Sequence, residues 1–71
     1  MVRLITKDEY EVMTPYAKGY IVGAQGDHEK SPLRGQTNPF DKRLAAEDHA
    51  AWERGREQGL KAPRLKEQGD L

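Results

Sequence analysis

The stretch YAKGYIVG at residues 16–23 has a counterpart, WERGREQG, at residues 52–59. Both read aromatic, any residue, basic, Gly, three residues of any kind, Gly. Glycine inside a helix costs about 1 kcal/mol relative to alanine, so each instance needs a structural reason. Residues three and four apart share one helix face, so each aromatic residue lies on a stripe with its two glycines. The repeat therefore predicts two helices that pack closely along these stripes.

The missing side chains indicate how such packing would work. A glycine has no Cβ, so a partner backbone or a flat ring can approach it closely. We expect the rings of Tyr16 and Trp52 to lie over the glycine notch of the opposite helix, or over the loop between the helices. A plainer interpretation stays open, in which Gly23 and Gly59 are helix C-caps and the two aromatic residues are ordinary core anchors.

Capping signals divide the first third of the chain into two helices. Thr6 and Glu9 form a capping-box pattern for a helical turn from Lys7 to about Met13. Thr14 suits the N-cap of a second helix, and Pro15 suits its first position, where no amide donor is missed. A single helix kinked at Pro15 is the alternative.

A loop is predicted after the second helix, which extends to about Gln25 with Gly26 as a left-handed C-cap. Residues 27–40 contain Ser31-Pro32, Gly35 and Asn38-Pro39, which favour turns. A loop of this length is either functional or packed by its own apolar groups, here Leu33 and Phe40.

The next helix is predicted to start after Asp41 as N-cap, or later, at residue 45 or 46. It extends to about Gln58, and Gly59 is expected to end it. The residues from Lys61 onward are mostly polar and are expected to form a tail.

Together these elements predict an all-α fold, a small helix-loop-helix hairpin with a short N-terminal helix. We expect an N-terminal segment at residues 1–13, the helix-loop-helix domain at residues 14–60 and the polar tail at residues 61–71. The predicted core residues are Tyr16, Tyr20, Phe40, Leu44 and Trp52. So small a core favours a homodimer, because a second copy would cover apolar groups.

Length and charge limit the classes of function. The chain has 71 residues and no cysteine, and its 12 basic residues balance 12 acidic ones. A core of this size leaves little room for an enzyme pocket. Zero net charge argues against an RNA binder that relies on bulk charge, so an RNA-binding role needs a local basic patch. The lack of cysteine and of a long apolar run is typical of a cytoplasmic protein that does not enter a membrane.

Groups suited to catalysis or metal binding are sparse. Ser31 is the only serine, and no base is positioned beside it. Both histidines have acidic neighbours, at residues 27–29 (DHE) and 47–49 (EDH), and such groups can ligate a metal. Consecutive helical residues point about 100° apart, so the second trio does not converge on one ion. We expect no enzyme activity, no metal and no cofactor.

These motifs resemble the ribosome modulation factor family of small bacterial and phage-encoded proteins. That family has an Arg/Lys-Gly-Tyr helix with a further glycine four residues on, a Cys/Asn-Pro-Tyr turn and a Trp-x-x-Gly helix. The resemblance covers residues 16–59. It implies a helix-loop-helix framework formed by Lys18, Gly19, Tyr20, Asn38, Pro39, Phe40, Trp52 and Gly55. The repeat adds Tyr16, Gly23 and Gly59 to this framework.

The resemblance also implies a non-enzymatic role on the small ribosomal subunit, where the family helps ribosomes pair into inactive dimers. Its ribosome-binding members are strongly basic, whereas this chain is neutral. A local basic cluster between residues 54 and 66 is the candidate surface for ribosomal RNA. The candidate binding residues are Lys18, Tyr20, Phe40, Trp52, Arg54, Arg56, Lys61 and Arg64. The cluster is equally explained as a solvated face in which these cations pair with neighbouring glutamates.

A second hypothesis belongs to a different class of function. A neutral chain with a small core also fits a phage-encoded protein-binding module, which inactivates a host regulator or a defence complex by occupying its surface. Salt dependence separates the two hypotheses, because phosphate contacts weaken steeply with salt and apolar interfaces do not.

Overall fold

The computed structural model describes residues 4–62, and the regular elements in that range are three α-helices. Helix α1 spans Lys7–Glu11, α2 spans Pro15–Gln25 and α3 spans Ala46–Lys61. The all-α class is confirmed, as is a pair of helices joined by a loop and preceded by a short N-terminal helix. Most of the expected tail, residues 63–71, lies outside the described residues. None of the helices in the described range is long and apolar enough to cross a membrane.

The predicted capping signals set the starts of α1 and α2. The Glu9 backbone N–H donates to the Thr6 hydroxyl oxygen at 3.2 Å, and the Thr6 N–H donates to the Glu9 carboxylate at 3.1 Å. The Thr14 hydroxyl accepts a hydrogen bond from the third residue of α2, and Pro15 takes the first position. Because each helix has its own cap, α1 and α2 are separate helices rather than one kinked helix.

The ends of α2 and α3 differ from the prediction. Gly26 caps α2 with φ of −63°, so it is not left-handed, and its N–H donates to the Val22 carbonyl as in an ordinary helical turn. Asp41 does not cap α3; its carboxylate accepts the Arg43 backbone N–H at 2.7 Å in the preceding turn. Gly59 does not end α3, because its backbone packs against α2 inside the helix.

Helices α2 and α3 touch through the first glycine of each repeat. A Cβ atom placed on Gly19 would lie 2.9 Å from the Arg56 backbone nitrogen and closer still to the Trp52 carbonyl oxygen. A Cβ atom on Gly55 would lie 2.9 Å from the Tyr20 backbone nitrogen, with the Tyr16 carbonyl again closer. Both positions therefore exclude any side chain. The space above each glycine is filled by the backbone of the opposite helix.

The second glycine of each repeat makes the same contact one turn later. A Cβ on Gly23 would clash with the Arg56 carbonyl and lie 2.9 Å from the Leu60 nitrogen. A Cβ on Gly59 would clash with the Tyr20 carbonyl and lie 2.9 Å from the Ala24 nitrogen. The interpretation of these two glycines as C-caps is therefore wrong.

The order of these contacts gives the direction of the two helices. Residues later in α2 contact residues later in α3, so the two helices run parallel. The two copies of the repeat make equivalent contacts: Gly19 meets the backbone of the second copy in the same way that Gly55 meets the backbone of the first. The two helices are therefore related by a local two-fold axis. The segment between them, residues 26–45, returns the chain to the start of α3. Close approach at small residues four apart is familiar from membrane helices, where the small residues let the two backbones come into contact.

The apolar core flanks this backbone contact. Tyr10, Val22, Leu33 and Trp52 are buried and form one cluster, and Leu33 and Trp52 are almost completely inaccessible. Partly buried Ile5, Ile21 and Phe40 pack against the cluster. The loop is thus packed by its own apolar residues Leu33 and Phe40, as expected. Trp52 is the central residue of the core.

Two predicted core residues are at the surface. Leu44 is 87% exposed, because α3 begins only after it and leaves it in a turn. Tyr16 is 42% exposed, because its backbone carbonyl, not its ring, faces Gly55. Tyr20 and Phe40 are half-buried.

Candidate functional site

The Asn38-Pro39-Phe40 turn is fixed to α3 by one side chain. The Asn38 amide donates to the His49 carbonyl oxygen and to the Glu53 carboxylate, each at 3.0 Å. Its side-chain oxygen accepts the Phe40 backbone N–H at 3.0 Å. The two bonds from the amide nitrogen hold the turn against the side of α3 that also carries Trp52, and the third bond fixes the shape of the turn itself.

Removing the Asn38 amide should release this turn. We expect Asn38→Ala to lower the free energy of unfolding by about 1–3 kcal/mol, since the Phe40 N–H and the His49 carbonyl lose their side-chain partner. Urea denaturation followed by circular dichroism measures the change. Thr37→Ala is the matched control beside it, because Thr37 is exposed and its side chain makes no hydrogen bond within residues 4–62. Equal stability of the two variants would contradict the role given to Asn38.

Lys18 lies between two aromatic rings. Its ammonium nitrogen is 5.5 Å from the centre of the Tyr10 ring and 5.6 Å from that of Phe40. Such contacts stabilise by about 0.5–1 kcal/mol each at partly exposed sites. Lys18 therefore joins α2 to α1 and to the Asn-Pro-Phe turn, and its charge is already engaged within the molecule.

Tyr10 is the central residue that sequence reasoning missed. It is buried, and its hydroxyl accepts a hydrogen bond from the Trp52 indole nitrogen at 3.1 Å. A tyrosine on a five-residue helix carries no pattern that reveals such a partner, because the contact joins residues 42 positions apart. The bond ties α1 to the main helix pair and uses the only polar atom of the Trp52 ring.

The predicted basic cluster does not form one patch. Arg54 and Arg56 are exposed and their side chains form no ion pair with any residue in the described range. Two helical positions separate them, which places them about 160° apart around the α3 axis. Around the helix axis, Lys61 lies within about 20° of Arg54, on the same side of α3. The Lys61 ammonium forms an ion pair with the Glu57 carboxylate at 3.2 Å. Arg64 lies outside the described residues.

The candidate aromatic residues differ in what they offer a partner. Trp52 is 1% exposed, so its ring faces are covered by the protein itself. Tyr20 and Phe40 are half-buried, and Phe40 also faces Lys18. Of these three aromatic residues, Tyr20 and Phe40 therefore offer a ligand partial access, and Trp52 offers almost none.

A groove of about 190 Å³ lies between the end of the long loop and one side of α3. The residues that line it are Gln36, Thr37, Asn38, Trp52, Glu53 and Arg56. Asn38 and Trp52 belong to the predicted framework and Arg56 to the predicted binding set. Gln36, Thr37 and Glu53 were not predicted as site residues.

The remaining polar candidates make local contacts. Ser31 is buried, and its hydroxyl oxygen accepts the Leu33 backbone N–H at 3.1 Å. The His28 ring accepts the Lys30 backbone N–H at 3.1 Å. Across residues 4–62, no group of three histidine or acidic side chains is placed to hold a metal ion.

Similarity to known proteins adds nothing to this geometry. A scan against protein-family models, a search of curated proteins and a search of solved structures each found no match.

Proposed function

We propose that this chain is a non-enzymatic, ribosome-associated regulator of translation that binds ribosomal RNA. The observation that carries the proposal is the assembly of its three motifs. The helix bearing Lys18 and Gly19, the turn bearing Asn38 and the helix bearing Trp52 pack as one unit. The resemblance to ribosome modulation factors rests on these same motifs, and their joint packing supports a shared framework.

The cations available to RNA suggest how the chain would bind. Arg54 and Arg56 project to different sides of α3, so a flat phosphate surface meets only one of them. A helix placed between two RNA strands meets both. Because the chain has no net charge, these few cationic side chains supply the electrostatic part of binding.

Salt-dependent ribosome binding tests this proposal. We expect Arg54→Ala and Arg56→Ala each to weaken binding to small ribosomal subunits about three- to tenfold. Arg54→Ala should also flatten the dependence of log affinity on log salt by about one unit, as the loss of a phosphate contact does. The double variant should combine the two losses, because the two side chains lie on opposite sides of α3 and contact different parts of the RNA. Co-sedimentation at several salt concentrations measures both quantities.

Lys30→Ala is the control, since Lys30 is exposed in the loop and outside the proposed contact. It removes one positive charge, as each arginine variant does. If the double variant binds subunits as tightly as the parent, the RNA-binding proposal fails. Equal losses for Lys30→Ala and the arginine variants would show a general charge effect and count against the assigned surface.

The exposure of Leu44 favours a second candidate. Leu44 is 87% exposed and borders a shallow depression of about 360 Å³ at the start of α3. An apolar side chain in that position suits a protein partner, as expected for a phage-encoded inhibitor of a host regulator or defence complex. In that case Leu44→Asp abolishes partner capture, and capture by the parent changes little between low and physiological salt.

A further inference from the structure

The groove between the long loop and α3 has the size of a site for one ring system. Its volume of about 190 Å³ is below the roughly 300–1,000 Å³ of sites for drug-sized molecules. Its walls are polar, with two amides, a hydroxyl, a carboxylate and a guanidinium among the six lining side chains. The occupant is therefore a small, flat, hydrogen-bonding group rather than an apolar one.

A carboxylate and a guanidinium line this groove without pairing with each other. Glu53 and Arg56 are one helical turn apart, a spacing at which such side chains commonly form an ion pair. No such pair is present; Glu53 instead accepts a hydrogen bond from Asn38 at 3.0 Å. The Arg56 side chain has no hydrogen-bond or ion-pair partner among residues 4–62. The groove therefore presents a fixed acceptor beside an unpaired, planar donor.

Guanine matches this pair of groups. Its N1–H and N2–H₂ are adjacent donors that a carboxylate accepts, and its O6 and N7 are adjacent acceptors that an arginine contacts with two hydrogen bonds. Adenine, cytosine and uracil all lack the pair of adjacent donors, and adenine and uracil also lack a pair of adjacent acceptors. Single-stranded RNA exposes such edges, and proteins read them in unpaired bases.

We propose that the groove binds an unpaired guanine of RNA, with Glu53 accepting from the N1–H and N2–H₂ edge and Arg56 donating to O6 and N7. This inference rests on the proposed RNA-binding function and names the base that the function would select. Each well-formed two-bond contact discriminates against a wrong base by about tenfold or more.

Nucleotide titration tests the proposal on the intact chain. Isothermal titration calorimetry measures the affinity of the groove for each nucleotide without depending on a spectroscopic reporter. We expect GMP to bind at least tenfold more tightly than AMP, CMP or UMP. Glu53→Gln should remove most of this preference, since glutamine replaces one of the two acceptor oxygens by an NH₂ donor that opposes the guanine donors.

The matched control is Glu57→Gln, which makes the same chemical change one turn further along α3, away from the groove. It should keep the preference for GMP. Equal responses to all four nucleotides, or no response to GMP at millimolar concentration, overturn the guanine assignment. Unchanged preference in Glu53→Gln overturns it as well.

A ribosome assay separates this inference from the function on which it rests. If the parent binds small subunits but shows no preference for GMP, the guanine site is wrong and the RNA-binding function stands. If GMP is preferred and ribosomes are not bound, the groove is confirmed as a guanine site and the ribosomal function is wrong.

Discussion

Replacing Gly19 by alanine should lower the free energy of unfolding by about 3 kcal/mol, although alanine is the better helix former. The intrinsic gain of alanine is about 1 kcal/mol. Against it, the new methyl group would fall inside the contact distance of the Trp52 carbonyl and 2.9 Å from the Arg56 nitrogen. Backbone atoms cannot rotate away as a side-chain tip can, so α2 and α3 must separate. That separation also loosens the buried cluster around Trp52.

Thermal and urea denaturation followed by circular dichroism measure this loss. Gln58→Ala is the control on the same helix pair, because Gln58 is exposed on α3 and alanine there should change stability by less than about 0.5 kcal/mol. A Gly19→Ala variant that melts at or above the temperature of the parent would contradict the close approach of the helices.

The double variant Gly19→Ala, Gly55→Ala carries a sharper expectation. The two glycines face the same helix contact from opposite sides. Once one methyl group has forced the helices apart, the second meets an opened contact. The combined loss should therefore be smaller than the sum of the two single losses, as is usual for residues that share one contact. Strict additivity would show that each methyl group is relieved locally, without movement of the helix pair.

The glycine spacing predicted the helix contact because the relevant geometry is local. Positions three and four apart share a helix face in any structure, so the stripe follows from the sequence alone. The parallel direction does not follow, since two stripes can face each other with either direction of the second helix. That choice depends on how residues 26–45 return the chain, which involves long-range contacts such as those of Asn38 and Leu33.

The errors in the predicted core also come from geometry that the local sequence pattern does not determine. The prediction places Leu44 in the core because it assumes a helix start at Asp41, and the actual start at Ala46 leaves Leu44 in a turn. It places Tyr16 in the core because Tyr16 lies on the glycine stripe. Sequence does not show that the backbone at this position makes the contact and leaves the ring outside.

The basic cluster shows how charge read along a chain differs from charge on a surface. Arg54 and Arg56 are neighbours in sequence but lie on opposite sides of α3. Glu53, in contrast, lies beside Arg56 in one groove because the loop bearing Asn38 folds against that side. The helical period predicts the first relation. The shared groove of Glu53 and Arg56 can be predicted only when the position of the loop is known.

Trp52→Ala should be the most destabilising change outside the glycines, with an expected loss of about 3–5 kcal/mol. Trp52 is 1% exposed and central to the core cluster, so truncation leaves a large cavity beneath the loop. It also removes the partner of the Tyr10 hydroxyl and releases α1. A chain of this size has little stability in reserve, and we expect the variant to be largely unfolded at 37 °C.

The contributions of packing and hydrogen bonding can be separated at this site. Tyr10→Phe keeps the ring but leaves the buried Trp52 indole N–H without its acceptor, at an expected cost of about 1–3 kcal/mol. Trp52→Phe loses both volume and the donor. In the double variant neither polar atom remains, so its loss should be smaller than the sum of the single losses. Circular dichroism melting of all four proteins gives this coupling, and an additive result would mean that the bond between α1 and α3 does not stabilise the fold.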